Sequence, residues 1–205
     1  SPTQVGSSGI GGGGLYYIQV SGRYAYIGIW GGQLLCVVDI SNPTAPVQAG
    51  VYNFSTEAPG VYVSGKYAYA TLSNTNTLSV LDISNPASIT SVGSCAVGSG
   101  PYDVYVSGRY AYVVNRNGNT ISVVNIANPA SPTQVGTCSV GTSPHKIFVQ
   151  GRYAYVVNSG SNNISVVDIS DPISPTLVTN ITVGSAPYGI YVSGRYAYVS
   201  NSSGN

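Results

Sequence analysis

The peptide Gly-Arg/Lys-Tyr-Ala-Tyr begins at Gly22, Gly65, Gly108, Gly151 and Gly194, each copy 43 residues after the one before. A fixed period of this length restricts a chain to folds in which one supersecondary unit stacks on copies of itself, since such a unit cannot bury its apolar face alone. Within one period everything reads as strand. Residues 186–192 form a first strand (A), and Ser193-Gly194 forms a tight turn of the hairpin type. Arg-Tyr-Ala-Tyr-Val then forms a second strand (B) with both tyrosines on one face. An Asn/Gly/Ser loop leads to a third strand (C) over Ile164–Ile169, and Ser-Asp-Pro-Ile-Ser-Pro interrupts the sheet because proline cannot donate to a ladder. Leu-Val-Thr-Asn-Ile-Thr-Val supplies a fourth strand (D). No segment carries a helical period.

Four short antiparallel strands per period predict an all-β chain, a β-propeller of four-stranded blades forming one domain over residues 1–205. The strand order is D, four rounds of A-B-C-D, then A-B. Five blades is the simplest closure. The last blade would be composite, with N-terminal Ser-Pro-Thr-Gln-Val as strand D of the blade begun by residues 186–200, and it would lack strand C. A piece of a longer array fits the same count.

Strand C, in the forms Leu-Leu-Cys-Val-Val-Asp-Ile-Ser, Leu-Ser-Val-Leu-Asp-Ile-Ser, Ile-Ser-Val-Val-Asn-Ile-Ala and Ile-Ser-Val-Val-Asp-Ile-Ser, resembles the LVIVD repeat. Tyr-Val-Val-Asn-Ser-Gly-Ser-Asn-Asn-Ile-Ser-Val-Val-Asp-Ile-Ser is also similar to YVTN-type surface-protein repeats. The resemblance covers nearly the whole chain and implies a secreted or cell-surface propeller. A shared fold does not specify a ligand.

Charged residues are 6% of the chain and the net charge is +1, so no basic footprint for nucleic acid or an anionic membrane is expected. No apolar run reaches the roughly 20 residues that span a bilayer. Four Asn-x-Ser/Thr sequons, at Asn53, Asn163, Asn180 and Asn201, are glycosylation candidates, and with the low charge they point to an extracellular or cell-surface location.

Residues repeated in every period are explained by the blade, so a site is sought in what is left. Arg23, Lys66, Arg109, Arg152 and Arg195 follow the turn glycine, while Asp39, Asp82 and Asp168 end strand C, where a carboxylate caps the next turn. The remainder is Glu57, Asp103, Arg116, Lys146, Asp171 and the single histidine, His145. Because strands alternate in direction, the D-A and B-C loops share one face, and all of these except Asp171 fall on it. The column six residues before the repeat glycine reads Tyr16, Pro59, Tyr102, His145, Tyr188, and the next reads Tyr17, Gly60, Asp103, Lys146, Gly189. These columns should ring the mouth of a central channel. The predicted site binds a glycan or protein, with Tyr16, Tyr17, Trp30, Tyr102, His145 and Tyr188 stacking or hydrogen-bonding and Asp103, Arg116 and Lys146 setting orientation.

No catalytic chemistry, cofactor or metal is expected. The sequence has no nucleophile-elbow pattern, no Cys/His cluster and no calcium-loop spacing. Two alternatives stand beside the binding module. One is a glycosidase using Glu57 and Asp103 as paired carboxylates. The other is a structural subunit that self-associates when the incomplete blade accepts a donated strand. Cys36, Cys95 and Cys138 are expected to be free thiols, because equivalent positions on neighbouring blades lie beyond disulfide reach.

Overall fold

The computed structural model describes residues 3–10, 14–30 and 33–203. Four sheets of four antiparallel strands follow one another along the chain. Blade 1 is β1 (Gly14–Ser21), β2 (Tyr24–Trp30), β3 (Leu34–Asp39) and β4 (Val47–Asn53), and blade 2 is β5 (Val61–Ser64), β6 (Tyr67–Leu72), β7 (Thr77–Asp82) and β8 (Thr90–Ala96). Blade 3 is β9 (Pro101–Ser107), β10 (Tyr110–Asn115), β11 (Thr120–Asn125) and β12 (Thr133–Ser139). Blade 4 is β13 (Pro144–Gln150), β14 (Tyr153–Asn158), β15 (Asn163–Asp168) and β16 (Thr176–Thr182), and a fifth unit holds β17 (Pro187–Ser193) and β18 (Tyr196–Asn201). One 3-10 turn, Pro86–Ser88, is the exception to strand and loop among the described residues.

The repeat glycine is required by conformation and not by space. Gly22, Gly65, Gly108, Gly151 and Gly194 all have φ between +58° and +61°, and a Cβ on any of them would meet nothing within 4 Å. Left-handed backbone of this kind favours glycine over any residue with a Cβ.

Successive blades bury each other. Tyr26, Leu35 and Val37 of blade 1 pack on Val61, Val63, Ala68, Ala70 and Leu81 of blade 2, and corresponding residues repeat the arrangement onward. The period-2 alternation of strands B and C therefore has both faces apolar, one for each neighbour. The two ends of the stack are different. Ile18 and Val20 are 65% and 57% exposed, against 0% and 4% for their equivalents Val61 and Val63. Tyr198 is 61% exposed, against 4% for its equivalents Tyr26, Tyr69 and Tyr112.

The repeated charges are structural. Asp39, Asp82 and Asp168 each accept a backbone N–H two residues on, from Ser41, Ser84 and Ser170. Asp171 does the same for Ile173 in its own loop. Arg23 and Arg152 also reach across their hairpins to Asp39 and Asp168, at 2.6 and 2.8 Å. All three cysteines are free. Asn180 accepts from Ser165, and half-buried Asn163 accepts from Asn158, so two of the four sequon side chains support strand contacts.

The composite fifth blade needs correction. Residues 3–10 form no strand and pair with neither β17 nor β18, whose sheet has two strands among the described residues. Without a strand C between them, the two segments share no ladder partner. Gly6 nevertheless sits against Pro43 and Thr44, as Gly50 sits against Pro86 in the next blade, so this segment holds the outer-strand position beside blade 1.

Candidate functional site

The innermost strands position the site through a repeated irregularity. In β9 the ladder passes from Pro101 to Asp103, in β13 from Pro144 to Lys146, and in β17 from Pro187 to Gly189. Each step leaves one residue outside the pairing, and those residues are Tyr102, His145 and Tyr188. A β-bulge re-aims the extra side chain. Here three bulges turn three rings into one column, with His145 4.6 Å from Tyr102 and 4.3 Å from Tyr188 between centroids. The Arg116 guanidinium extends the column, 4.9 Å over the far side of Tyr102.

A second row lies three residues further along the same strands, where Tyr62, Tyr105, Phe148 and Tyr191 follow each other at 4.9, 5.3 and 5.4 Å. Burial, then neighbouring Tyr105, pushes the Tyr62 phenol up to about 12. Between the rows lies the one ion pair with a buried carboxylate and a half-buried ammonium among the described residues. Asp103 Oδ1 accepts from Lys146 Nζ at 2.9 Å while Oδ2 accepts the Ile147 N–H at 3.0 Å, and the carboxylate is 4% exposed. Lys146 Nζ also lies 4.8 Å from the centre of the Tyr17 ring, a cation-π distance. Burial first and the Asp103 charge second hold the Tyr17 phenol far above its ordinary range, so it remains a neutral donor, directed at Gln19.

Close approach at this level depends on Gly60. A Cβ there would come within 2.6 Å of the Tyr102 carbonyl and 2.8 Å of Asp103 Cα. Buried Thr71 ties the two blades, accepting from Gly60 N and reaching the carbonyls of Gly60 and Tyr102.

Of the residues singled out from sequence, Tyr17, Tyr102, Asp103, His145, Lys146 and Tyr188 line one cavity of about 120 Å³, with Pro59 and Gly189. Arg116 belongs to a neighbouring polar cavity of about 210 Å³ with Glu57, Ser73, Asn74 and Asn117, and the Tyr102 ring is the shared wall. The side chains of Tyr16 and Trp30 lie outside the described residues, although the backbone places both on blade 1 strands. Two expected roles change. Tyr102 and His145 are only 7% and 6% exposed and are held between neighbours, so they form walls; Tyr188, 46% exposed, presents an open face. Asp103 does not pair with Glu57 in the manner of a glycosidase, because both its oxygens are engaged and Glu57 faces the other cavity. Sequence reading missed Ser73. The column Trp30, Ser73, Arg116, Ser159, Ser202 was the available signal, since arginine interrupts serine there.

His145 is held neutral. Burial is the largest cause, followed by the Arg116 charge, and together they outweigh Asp103 and bring the imidazole down to about 4. The unfolded chain takes up a proton below about 6.5, whereas the folded chain does so only below about 4. Stability linked to His145 is therefore complete above pH 6.5 and lost as the pH falls from 6.5 towards 4, by about 3 kcal/mol over that window. Chemical denaturation of wild type and His145→Gln at pH 7, 6, 5 and 4 should show the wild type losing this extra increment. Parallel curves would refute it.

The LVIVD repeat pattern matches residues 12–54, 56–97, 101–140, 143–183 and 184–204. The chain belongs to the LVIVD-repeat family. No curated protein matches this LVIVD-repeat chain in sequence. Among solved structures it is similar to a functionally unknown protein from Desulfotomaculum acetoxidans, at TM-score 0.79 and 15% identity, covering 93% of this chain and 63% of that one. It is also similar to a protein from Bacteroides fragilis provisionally named a 6-phosphogluconolactonase, at TM-score 0.79 and 18% identity, covering 97% and 64%. A periplasmic gluconolactonase of Pseudomonas aeruginosa matches at TM-score 0.75 and 17% identity, covering 91% and 57%. The chain thus spans less than two thirds of the length of each. These likenesses establish the fold. They also overturn the expectation of a chain without catalytic chemistry, because the same arrangement of blades carries proteins named as lactonases, and the missing motifs on which that expectation rested do not define such a site.

Proposed function

We propose that the cavity between Tyr17, His145 and Tyr188 binds a small polyhydroxylated ring, a sugar or sugar lactone. The carrying observation is that apolar ring surfaces and a buried, oriented Asp103–Lys146 pair converge on one space of about 120 Å³. A dry cavity of roughly 150 Å³ holds benzene, so this partly open space takes one side of a hexose ring, the rest projecting past exposed Tyr188, and is too small for a protein loop. An apolar wall beside fixed donors and acceptors is the composition a sugar face requires. The lactonase names carried by two structural neighbours are consistent with a sugar lactone within that class.

Titration calorimetry against monosaccharides and aldonolactones, with acid release followed for the lactones, tests the reading. Tyr188→Ala should weaken binding at least tenfold and leave the melting temperature nearly unchanged, since the ring is 46% exposed. Unchanged affinity in that variant, or no binding by the wild type, would reject it.

A second reading, self-association, is favoured by the uncovered ends of the stack. The Ile18–Val20 surface corresponds to the face by which blade 2 meets blade 1, and Tyr198 to the Tyr26 that packs there, so the two ends offer part of the contact made between blades inside the chain. Such a contact is heterologous and builds rings or open chains. Sedimentation should show concentration-dependent growth that Tyr198→Asp abolishes; a monomer at all concentrations removes this reading.

A further inference from the structure

We propose that the ring bound in the aromatic cavity carries an oxyanion, a carboxylate or phosphate, which enters the neighbouring cavity and is held by Arg116 and Ser73. This rests on the sugar-binding reading and names the substrate class within it.

Three observations carry it. The two cavities adjoin, since Tyr102 lines both, which places the second beside any substituent that a ring in the first carries on that side. The second cavity contains a cation not committed elsewhere, because among the described residues Arg116 makes no ion pair; its guanidinium rests on Tyr102. Third, the serine pattern of this column is altered here, Trp30 of blade 1 being the other departure. In blade 4 and the fifth unit the equivalent serines, Ser159 and Ser202, donate their hydroxyls to the D-A loop carbonyls of Ser143 and Ala186, at 2.9 and 3.0 Å. In blade 3 the serine is replaced by Arg116. In blade 2, Ser73 is retained, but its buried Oγ has no hydrogen-bond partner and lies in the lining of this same cavity. A buried hydroxyl left unmatched costs stability, and an acceptor supplied by a ligand recovers it. Arg116 supplies the charge and fork geometry that carboxylates and phosphates accept.

Glu57 lines the cavity too and sets the ligand's orientation. It repels the oxyanion and accepts from ligand hydroxyls, so the anion is confined to the Arg116 side. Removing its charge should therefore strengthen binding of acidic ligands, the opposite of what removing Arg116 should do.

The test compares D-glucose, D-glucuronate and D-glucose 6-phosphate by calorimetry. At least one acidic probe should bind ten times or more tightly than glucose, and which of the two does so distinguishes carboxylate from phosphate. Arg116→Gln should bring the acidic probe to the glucose level and leave glucose unchanged, Ser73→Ala should weaken the acidic probe severalfold, and Glu57→Gln should strengthen it. Arg116→Lys keeps a charge on the Tyr102 ring and should retain part of the preference, which covers the case in which the glutamine variant folds poorly. Glucose binding as tightly as both acids would overturn this inference and leave the sugar-binding reading standing. No binding by any of the three would remove both. Equal loss of glucose and acid in folded Arg116→Gln would also refute the proposed role.

Discussion

Gly93→Val should lower stability by about 4 kcal/mol, close to 10 °C in melting temperature for a chain of this size. Gly93 lies in strand D of blade 2, at the bulge where Val80 faces Gly93 and Leu81 faces Ser91. A Cβ there would overlap the carbonyl oxygen of Pro129, and would stand 3.0 Å from both the Ala130 carbonyl carbon and Pro132 Cδ. All are in the proline-bracketed C-D loop of blade 3, which rests on this glycine. The obstacle is mainly backbone, which no rotamer change removes. Gly50 and Gly136 meet Pro86 and Pro172 in the same way. The fourth member of the column is Thr179, exposed on β16, where the fifth unit provides no such loop. Thr179→Val should consequently be nearly neutral. Thermal melts of both variants check the contrast, and a mild effect at Gly93 would mean that the loops do not seat on strand D.

Asp103→Ala should cost about 3 to 4 kcal/mol, the usual penalty for removing one partner of a buried pair. The Lys146 ammonium would lose its counter-charge and the Ile147 N–H its acceptor, both at the junction of blades 3 and 4. Lys146→Met should cost at least as much. It strands the 4%-exposed Asp103 carboxylate with the Ile147 N–H as a partner but no counter-charge, whereas the ammonium stranded by Asp103→Ala is 33% exposed and can reach water. Asp103→Asn should cost least, since it retains an acceptor for Ile147 and leaves no buried charge unpaired. Urea denaturation of the three variants gives the ordering, and a loss for Lys146→Met well below that for Asp103→Ala would show that the buried carboxylate does not depend on its counter-charge. Sugar binding should fail in Asp103→Ala even below its unfolding midpoint, since Lys146 is no longer fixed over Tyr17.

Much of the site was visible in sequence because a repeat provides its own background. With five copies in register, His145, Asp103 and Lys146 stood out as departures, and the alternation of strand direction assigned them to one face. The bulges that bring the rings together were not visible, although each follows a proline at the same place: Pro101, Pro144 and Pro187. A bulge is a property of pairing with a second strand, and period-2 counting along one strand does not register it. Arg116 was assigned to the right face but not to a separate cavity. Ser73 looked like an ordinary loop serine, because only its lost partner distinguishes it from Ser159 and Ser202.

The sequence by itself determined the number and kind of repeats, the strand order within each, the left-handed turn at every repeat glycine and the face on which the blades differ. All of these follow from local conformation and period, which act over a few residues. Tertiary structure alone decided that Tyr102 and His145 are walls and Tyr188 is the open surface, that Asp103 is bound to Lys146 and unavailable to Glu57, and that the N-terminal segment does not complete the fifth unit. Each of these depends on which groups exclude water from one another across neighbouring blades, and residues 43 apart in sequence, such as Asp103 and Lys146, meet only when the stack is built.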